Sequence, residues 1–265
     1  MNNLIKSGRY LFAIAIIGIG VVHLATGNFP VSLLPFPAFA GKMFLVYLIG
    51  LVLIAGGISL LIDRVALEAA FVIGTVFLLL FIFPHLPKLL SDFNNPGEWT
   101  VASETLALSS GAFIVIPLLT DLNSSTLKSN PMLMGIVKPA SYIFALTLIV
   151  FAVQHYLYAD FISKIVPSWM PARLFITYLV MFVFILTSVV VLLNVRKREA
   201  ALIFGCMFLI MFTFLHIPRV VNNFQTETEW TSMFIALAMS GIGFMLAEAT
   251  KNMVNAFRSN ISFGQ

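Results

Sequence analysis

The chain contains four histidines, His23, His85, His155 and His216, and each lies at the edge of an apolar stretch. An imidazole titrates near neutral pH, ligates haem iron, and donates or accepts hydrogen bonds. Histidines in such places therefore indicate one of three roles. They hold a haem axially, they bind the polar head of a quinone and relay its protons, or they satisfy backbone groups where a helix ends. The first two roles are functional and the third is structural.

The four histidines recur at a nearly constant spacing. His155 follows His23 by 132 positions, and His216 follows His85 by 131 positions. The neighbouring sequence repeats with them, as residues 85–88 (HLPK) with 216–219 (HIPR) and as residues 98–100 with 229–231 (both EWT). A period this long is too large for a solenoid unit, so it predicts a duplicated domain.

The composition is that of a membrane protein. Of 265 residues, 60% are hydrophobic and 10% are charged, and the mean hydropathy is +1.02. Globular domains carry about 25% charged residues, so a soluble enzyme is excluded. The net charge of +4 comes from loop residues and does not indicate nucleic-acid binding. The single cysteine, Cys206, excludes an internal disulfide, a cysteine metal cluster and a redox-active cysteine pair.

Eight apolar stretches are long enough to cross a bilayer. They cover about 10–26, 42–62, 66–84, 101–120, 139–158, 173–193, 200–217 and 231–250. A polar, turn-rich stretch at 121–131 separates a first unit, 1–120, from a second unit, 132–265. The sequence therefore predicts an all-α polytopic membrane protein, with eight transmembrane helices arranged as a parallel tandem duplication of a four-helix bundle.

The basic residues predict the orientation. Ten Lys and Arg residues lie on the side of the termini and five on the other side. Basic loops stay on the cytoplasmic side, so both termini are expected in the cytoplasm, in the inner (cytoplasmic) membrane of a bacterium. All four histidines then lie near the outer face.

Candidate site residues gather at this end of each unit. We predict His155 and His216 as catalytic residues that relay protons. The predicted ligand-binding residues are Gln154, Tyr158, Asp160, Arg219 and Trp230 in the second half, and His23, His85, Lys88 and Trp99 in the first. The second half has more polar residues at this end, so it is the half expected to bind the ligand if only one half does. An interfacial aromatic belt is the alternative for the aromatic residues.

Three further expectations concern charged groups and metals. Lys88 with Glu98, and Arg219 with Glu229, are expected to form exposed ion pairs that stabilise little. Glu104 lies inside a span, where an ionisable residue is a functional candidate by default. No His-x3-His pair and no cysteine cluster is present, so no protein-ligated metal is predicted.

Residues 153–161 (VQHYLYADF) and 165–171 (IVPSWMP), together with the HIPR and EWT motifs of the second half, resemble the DoxX/DoxD-like membrane protein family. Members of that family have a four-helix unit, so the resemblance implies two fused units. Some relatives are subunits of a quinone-reducing thiosulfate oxidoreductase or associate with redox partners. The residues that match family-like positions are His155, His216, Arg219 and Trp230. No soluble catalytic domain is predicted within these 265 residues, so thiosulfate chemistry is not implied.

The leading hypothesis is a redox-associated membrane protein that binds a quinone or similar lipophilic ligand near the outer face through paired histidines. It would serve as a membrane subunit of a quinone-linked oxidoreductase. Its expected partners are the lipid bilayer and a redox partner protein, and no nucleic-acid partner is expected. One alternative is a bis-histidine protein that binds haem b. The other is a non-enzymatic scaffold or assembly factor whose histidines are structural. The sequence leaves open which of these holds.

Overall fold

The computed structural model describes residues 2–30, 33, 39–119 and 131–262. Within those residues every regular element is helical and no strand occurs. The α-helices and two π-helical segments are α1 (Asn2–Thr26), α2 (Lys42–Leu61), α3 (Ala66–Leu80), π1 (Phe81–His85), α4 (Leu86–Ser91), α5 (Pro96–Leu119), α6 (Pro131–Leu157), α7 (Ala159–Ile165), α8 (Arg173–Leu192), α9 (Lys197–Met211), π2 (Phe212–His216), α10 (Ile217–Asn222) and α11 (Glu227–Ser262).

Eight helical segments in the described part of the chain are long and apolar enough to cross a membrane. They correspond one to one with the eight stretches predicted from hydropathy, so the expectation of an all-α protein with eight candidate spans is confirmed. Most of the polar stretch 121–131 lies outside the described residues, and its last residue, Pro131, begins α6. The short helix α7 follows α6 directly and was not predicted.

The third and seventh spans run further than predicted. Hydropathy and the prolines at 87 and 218 predict ends at 84 and 217, but the helices continue to Ser91 and Asn222. The physical reason is the π-helical turn before each proline. Because the helical register changes there, Pro87 and Pro218 fall in the first turn of a new α-helical segment, where no intrahelical N–H bond is needed. π-Helical turns often occur at functional sites.

The two halves of the chain interlock. Within the first half, α2 packs against both α1 and α3, and α3 packs against α5. The second half repeats this order: α8 packs against both α6 and α9, and α9 packs against α11. Between the halves, α1 packs against α11, α5 against α6, and α5 against α11. Helices α5 and α11 are the most buried spans, so they form the centre, with the other spans around them.

Buried positions recur through the spans at the spacing of the histidines. In the first span of each half the spacing is 132, as for Phe12 and Phe144; in later spans it is 131, as for Ile73 and Phe204. The change of one residue falls in the connection before α2 and α8. It explains why the two histidine pairs differ in spacing by one.

Contacts between the spans bring one set of helix ends together. The lysine after π1 pairs with the start of α5, the arginine after π2 pairs with the start of α11, and the end of α6 bonds to the start of α5. We call this region the histidine end: the C-terminal ends of α1 and α6, both π segments, and the N-terminal ends of α5 and α11.

Candidate functional site

His23 and His155 are held by the same backbone hydrogen bond. The Nδ1 atom of each ring lies 2.8 Å from the carbonyl oxygen four residues earlier, of Ile19 and Phe151 respectively. A carbonyl oxygen only accepts, so Nδ1 carries the proton and donates, and Nε2 keeps its lone pair. His23 is fully buried, and its Nε2 has no hydrogen-bond partner in the described structure. His155 is half-buried and packs edge-on against Phe184, with ring centroids 5.1 Å apart.

His85 and His216 are the last residues of the two π segments. His85 is buried, hydrogen-bonds to the backbone of Leu33, and has an Nε2 atom without a partner among the residues described. The other ring nitrogen, Nδ1, is therefore the one that donates to the Leu33 carbonyl. His216 is half-buried, and in its case Nδ1 is the atom that lacks a partner in the described part of the chain.

Each of these two histidines lies beside an ion pair. Lys88 Nζ contacts Glu98 Oε1 at 2.6 Å, whereas Arg219 contacts both oxygens of Glu229, through Nε at 2.7 Å and Nη2 at 2.8 Å. The prediction that both pairs form is confirmed. The expectation that they are exposed is wrong for the carboxylates, because Glu98 and Glu229 are 7% and 9% exposed. Both carboxylates belong to the first turns of α5 and α11, which are the two most buried spans.

The two pairs differ in what they leave unpaired. A lysine ammonium reaches one carboxylate oxygen, whereas a guanidinium matches both in a fork. Glu98 Oε2 consequently remains buried without a partner in the described structure. Both oxygens of Glu229 are bonded.

The predicted tryptophans fix turns at the histidine end. Trp99 Nε1 donates to the Phe93 carbonyl at 2.8 Å, and Trp230 Nε1 donates to the Phe224 carbonyl at 2.9 Å. Each indole also packs edge-on against that phenylalanine ring, at 4.9 and 5.1 Å between centroids. The indole N–H groups are therefore occupied, and only the ring faces remain to contact a ligand.

The other predicted residues of the second half are more scattered. Gln154 Nε2 donates to the Pro96 carbonyl at 2.8 Å and to Thr100 Oγ1 at 2.9 Å, so it joins α6 to α5 across the two halves. Tyr158 and Asp160 are exposed where α6 meets α7, and no hydrogen bond or ion pair in the described structure joins them to a histidine. Their roles as ligand-binding residues stay predictions.

Sequence reasoning missed two partners at this end. The Leu33 carbonyl, which fixes the ring of His85, lies in a connection without any recognisable motif. The free oxygen of Glu98 was missed although the EWT motif contains that residue, since a motif does not tell how many carboxylate oxygens are bonded. The sequence did contain a signal for this difference. The similar segments HLPK and HIPR end in Lys88 and Arg219, and only an arginine can bond both carboxylate oxygens.

Glu104 lies in α5 one helical turn beyond Thr100, within the span Pro96–Leu119. Its side chain is half-buried and makes no hydrogen bond or ion pair among the described residues. The residue at the matching position of α11 is Ile235, which is buried in the core. The two central helices therefore differ at this position.

The arrangement as a whole offers buried hydrogen-bond acceptors. His23 Nε2, His85 Nε2 and Glu98 Oε2 are lone-pair atoms that can receive an O–H hydrogen bond or a proton. An imidazole Nε2 fixed through Nδ1 can also ligate iron. In the described residues no three His, Cys, Asp or Glu side chains lie close enough together to hold a metal ion.

Comparison of the chain with protein-family models, with curated proteins and with solved structures found no match. The resemblance to the DoxX/DoxD-like family therefore stays a prediction. The case for a function depends on the histidine end itself.

Proposed function

We propose that the chain is a tandem duplication of a four-helix unit, with both units inserted into the membrane the same way round. Four spans return the chain to the side on which it began, so a second copy starts from the same side as the first. The recurring burial pattern and the two π segments support this proposal. So do two matched hydrogen bonds, from Ser109 to the Gly74 carbonyl at 2.8 Å and from Ser240 to the Gly205 carbonyl at 2.9 Å.

The excess of basic residues on the side of the termini supports a cytoplasmic location for both ends of the chain. The histidine end then lies at the outer face of a bacterial inner membrane. A lipophilic ligand reaches such a site laterally from the bilayer, and its polar head stops at the level of the interface.

At this end the protein binds a quinone-class ligand as a membrane subunit of a redox system. The observation that carries this proposal is the presence of buried imidazole nitrogens without a partner, foremost Nε2 of His23 and of His85. A buried polar atom is nearly always hydrogen-bonded in a folded protein. A hydroquinone hydroxyl supplies the missing donor, and its apolar tail fits between spans.

The chemistry assigned to the histidines is proton transfer. Oxidation of a hydroquinone to a quinone releases two protons and two electrons. The free imidazole nitrogen accepts one of these protons, the other passes to water at the outer face, and the two electrons pass to a redox partner protein that binds at the same face. Of the two histidines predicted to be catalytic, His155 has its Nδ1 fixed by the Phe151 carbonyl, which leaves Nε2 as its basic atom.

Haem b binding is the second candidate, and one specific observation favours it. Metal-ligating histidines usually donate their second ring N–H to a carbonyl or carboxylate. The Nδ1 atoms of His23 and His155 are bonded in this way. A haem in each half would need His23 opposite His85, and His155 opposite His216. A bound haem would supply one-electron transfer, and the chain would supply its axial ligands.

Optical and lipid analysis of the purified protein separates these candidates. Protein produced with ample haem is purified in detergent, its spectrum is recorded oxidised and dithionite-reduced, and its lipids are extracted for quinone analysis. We expect a featureless visible spectrum and a co-purifying quinone. A Soret band with sharp reduced bands would establish haem instead. The absence of both, combined with intact partner binding after His155→Gln, would favour the scaffold.

A matched pair of variants tests whether the histidine acts on the ligand. His23→Gln should lower the amount of co-purifying quinone, whereas Tyr156→Phe should leave it unchanged. Tyr156 lies at the same end of the bundle, in α6, is 66% exposed, and makes no hydrogen bond or ion pair in the described structure. Equal quinone content in both variants and in the unmodified protein would count against His23.

A further inference from the structure

The two halves differ in whether the carboxylate of the EWT motif can accept another hydrogen bond. Arg219 occupies both oxygens of Glu229, at 2.7 and 2.8 Å. Lys88 occupies only Oε1 of Glu98, at 2.6 Å, and leaves Oε2 buried without a partner in the described structure. The carboxylate of the second half is thus fully occupied by its own arginine, and His216 Nδ1 is the unpaired acceptor left beside it in the described structure; the first half offers both an imidazole and a carboxylate oxygen to a donor.

The same place in the first half holds a second unpaired acceptor. His85 is 2% exposed, its ring is fixed by the Leu33 backbone, and its Nε2 has no partner in the part of the chain described. His85 lies beside the Lys88–Glu98 ion pair, so its Nε2 and Glu98 Oε2 are two buried acceptors in one place, and each can receive a hydroxyl hydrogen bond.

We infer that the first half, rather than the second, binds the reduced ligand, a hydroquinone, and that His85 with Glu98 accepts its hydroxyl proton. This inference rests on the proposed function. Both free atoms are acceptors, so they favour a hydroquinone, which has O–H donors, over the quinone, whose carbonyl oxygens only accept. The assignment is the opposite of the one that the richer polar edge of the second half predicts.

Transfer of one hydroxyl proton to this pair is a balanced step. The hydroxyl O–H bond breaks, its electron pair stays on the ligand oxygen, and the proton forms a bond to His85 Nε2 beside the Glu98 carboxylate. The second proton that oxidation releases passes to water at the outer face. The electrons leave through the redox partner that the proposed function already requires. Lys88 holds the Glu98 carboxylate in position through its single contact.

A lysine-to-arginine exchange tests the inference. In Lys88→Arg the guanidinium can bond both oxygens of Glu98, as Arg219 does with Glu229, so the ion pair survives while the free oxygen is lost. The probe is a benzohydroquinone with a decyl tail, and binding is followed through tryptophan fluorescence of the full chain in detergent. We expect Lys88→Arg to weaken hydroquinone binding by about tenfold or more, as for loss of a hydrogen bond to a charged group.

Two further variants complete the experiment. Lys164→Arg makes the same exchange at an exposed lysine of α7, and should leave the affinity unchanged. Glu98→Gln removes the acceptor charge and provides a second route to the answer if Lys88→Arg does not fold. It should weaken binding to a similar degree. The unmodified protein should bind the hydroquinone about tenfold more tightly than the corresponding quinone.

The outcomes separate the inference from the proposed function. Unmodified protein that binds no hydroquinone would overturn both. Binding that is unaffected by Lys88→Arg and Glu98→Gln would overturn the inference and leave the proposed function standing. Binding that falls in Arg219→Lys but not in Lys88→Arg would assign the ligand to the second half.

Discussion

Helices α1 and α11 cross so closely that their backbones meet at Gly8 and Gly241. A Cβ atom built on Gly241 would stand 2.7 Å from the Gly8 carbonyl oxygen and 2.7 Å from the backbone nitrogen of Phe12. Ordinary contacts of a Cβ atom begin at 3.4 Å, so Gly241→Ala forces the helices about 0.7 Å apart. Because the atoms in the way belong to the backbone, no side-chain rotation relieves the clash.

The cost of this substitution follows from the packing. Overfilling a well-packed interface costs about 1–3 kcal/mol, and a rigid backbone contact belongs at the upper end. Alanine recovers about 1 kcal/mol through its higher helix propensity. We therefore expect the free energy of unfolding to fall by about 2 kcal/mol, which in a chain of this size lowers the thermal midpoint by about 4–8 °C.

The single cysteine provides the assay. Cys206 is half-buried in α9, and a thiol-reactive fluorogenic dye reports its exposure as the protein is heated in detergent. Gly135→Ala is the matched control, since a Cβ atom there meets nothing within 4 Å. The control should keep or slightly raise the midpoint. A Gly241→Ala midpoint equal to that of Gly135→Ala would refute the close α1–α11 crossing and the interlocked arrangement of the halves.

Three other substitutions test features of the spans with the same assay. Glu104→Ile places in α5 the residue type of Ile235 and removes a carboxylate without a partner in the described structure, so it should stabilise the protein by roughly 2 kcal/mol; a lower midpoint would mean that Glu104 has a partner. Ser109→Ala removes a buried hydrogen bond of 2.8 Å to the Gly74 carbonyl and should cost about 1 kcal/mol; no change would contradict that bond. Gln154→Leu removes two bonds between the halves, of 2.8 and 2.9 Å, and should cost about 1 kcal/mol; an unchanged midpoint would show that they contribute nothing.

The sequence predicted the spans well because bilayer thickness and hydropathy determine them almost alone. It did not predict that the third and seventh spans pass through Pro87 and Pro218. Single-residue rules treat a proline as a helix end, whereas here a π-helical turn changes the register before it. The interlocking of the halves was also missed, because hydropathy does not tell which of eight apolar helices are neighbours.

The candidate site was predicted in its position more than in its chemistry. The repeat predicted that the histidines and the EWT motif form the site, and the structure places these segments together at one end of the bundle. Which ring nitrogen is free depends on carbonyls such as those of Ile19 and Leu33. The first contact depends on helix geometry, and the second on a connection without a sequence motif. Residue types in the sequence therefore do not predict either contact.

The most direct test of the ligand site compares decyl hydroquinone binding by the unmodified protein and by His85→Gln. The unpaired Nε2 of this buried imidazole predicts saturable binding that weakens by about tenfold or more when the imidazole is removed. Thr213→Val is the matched control, because Thr213 is exposed and hydrogen-bonds only to the Leu209 carbonyl of its own helix; its affinity should stay unchanged. Equal affinity in all three proteins, or no binding in any of them, would contradict the assignment of the histidine end as a quinone-class ligand site.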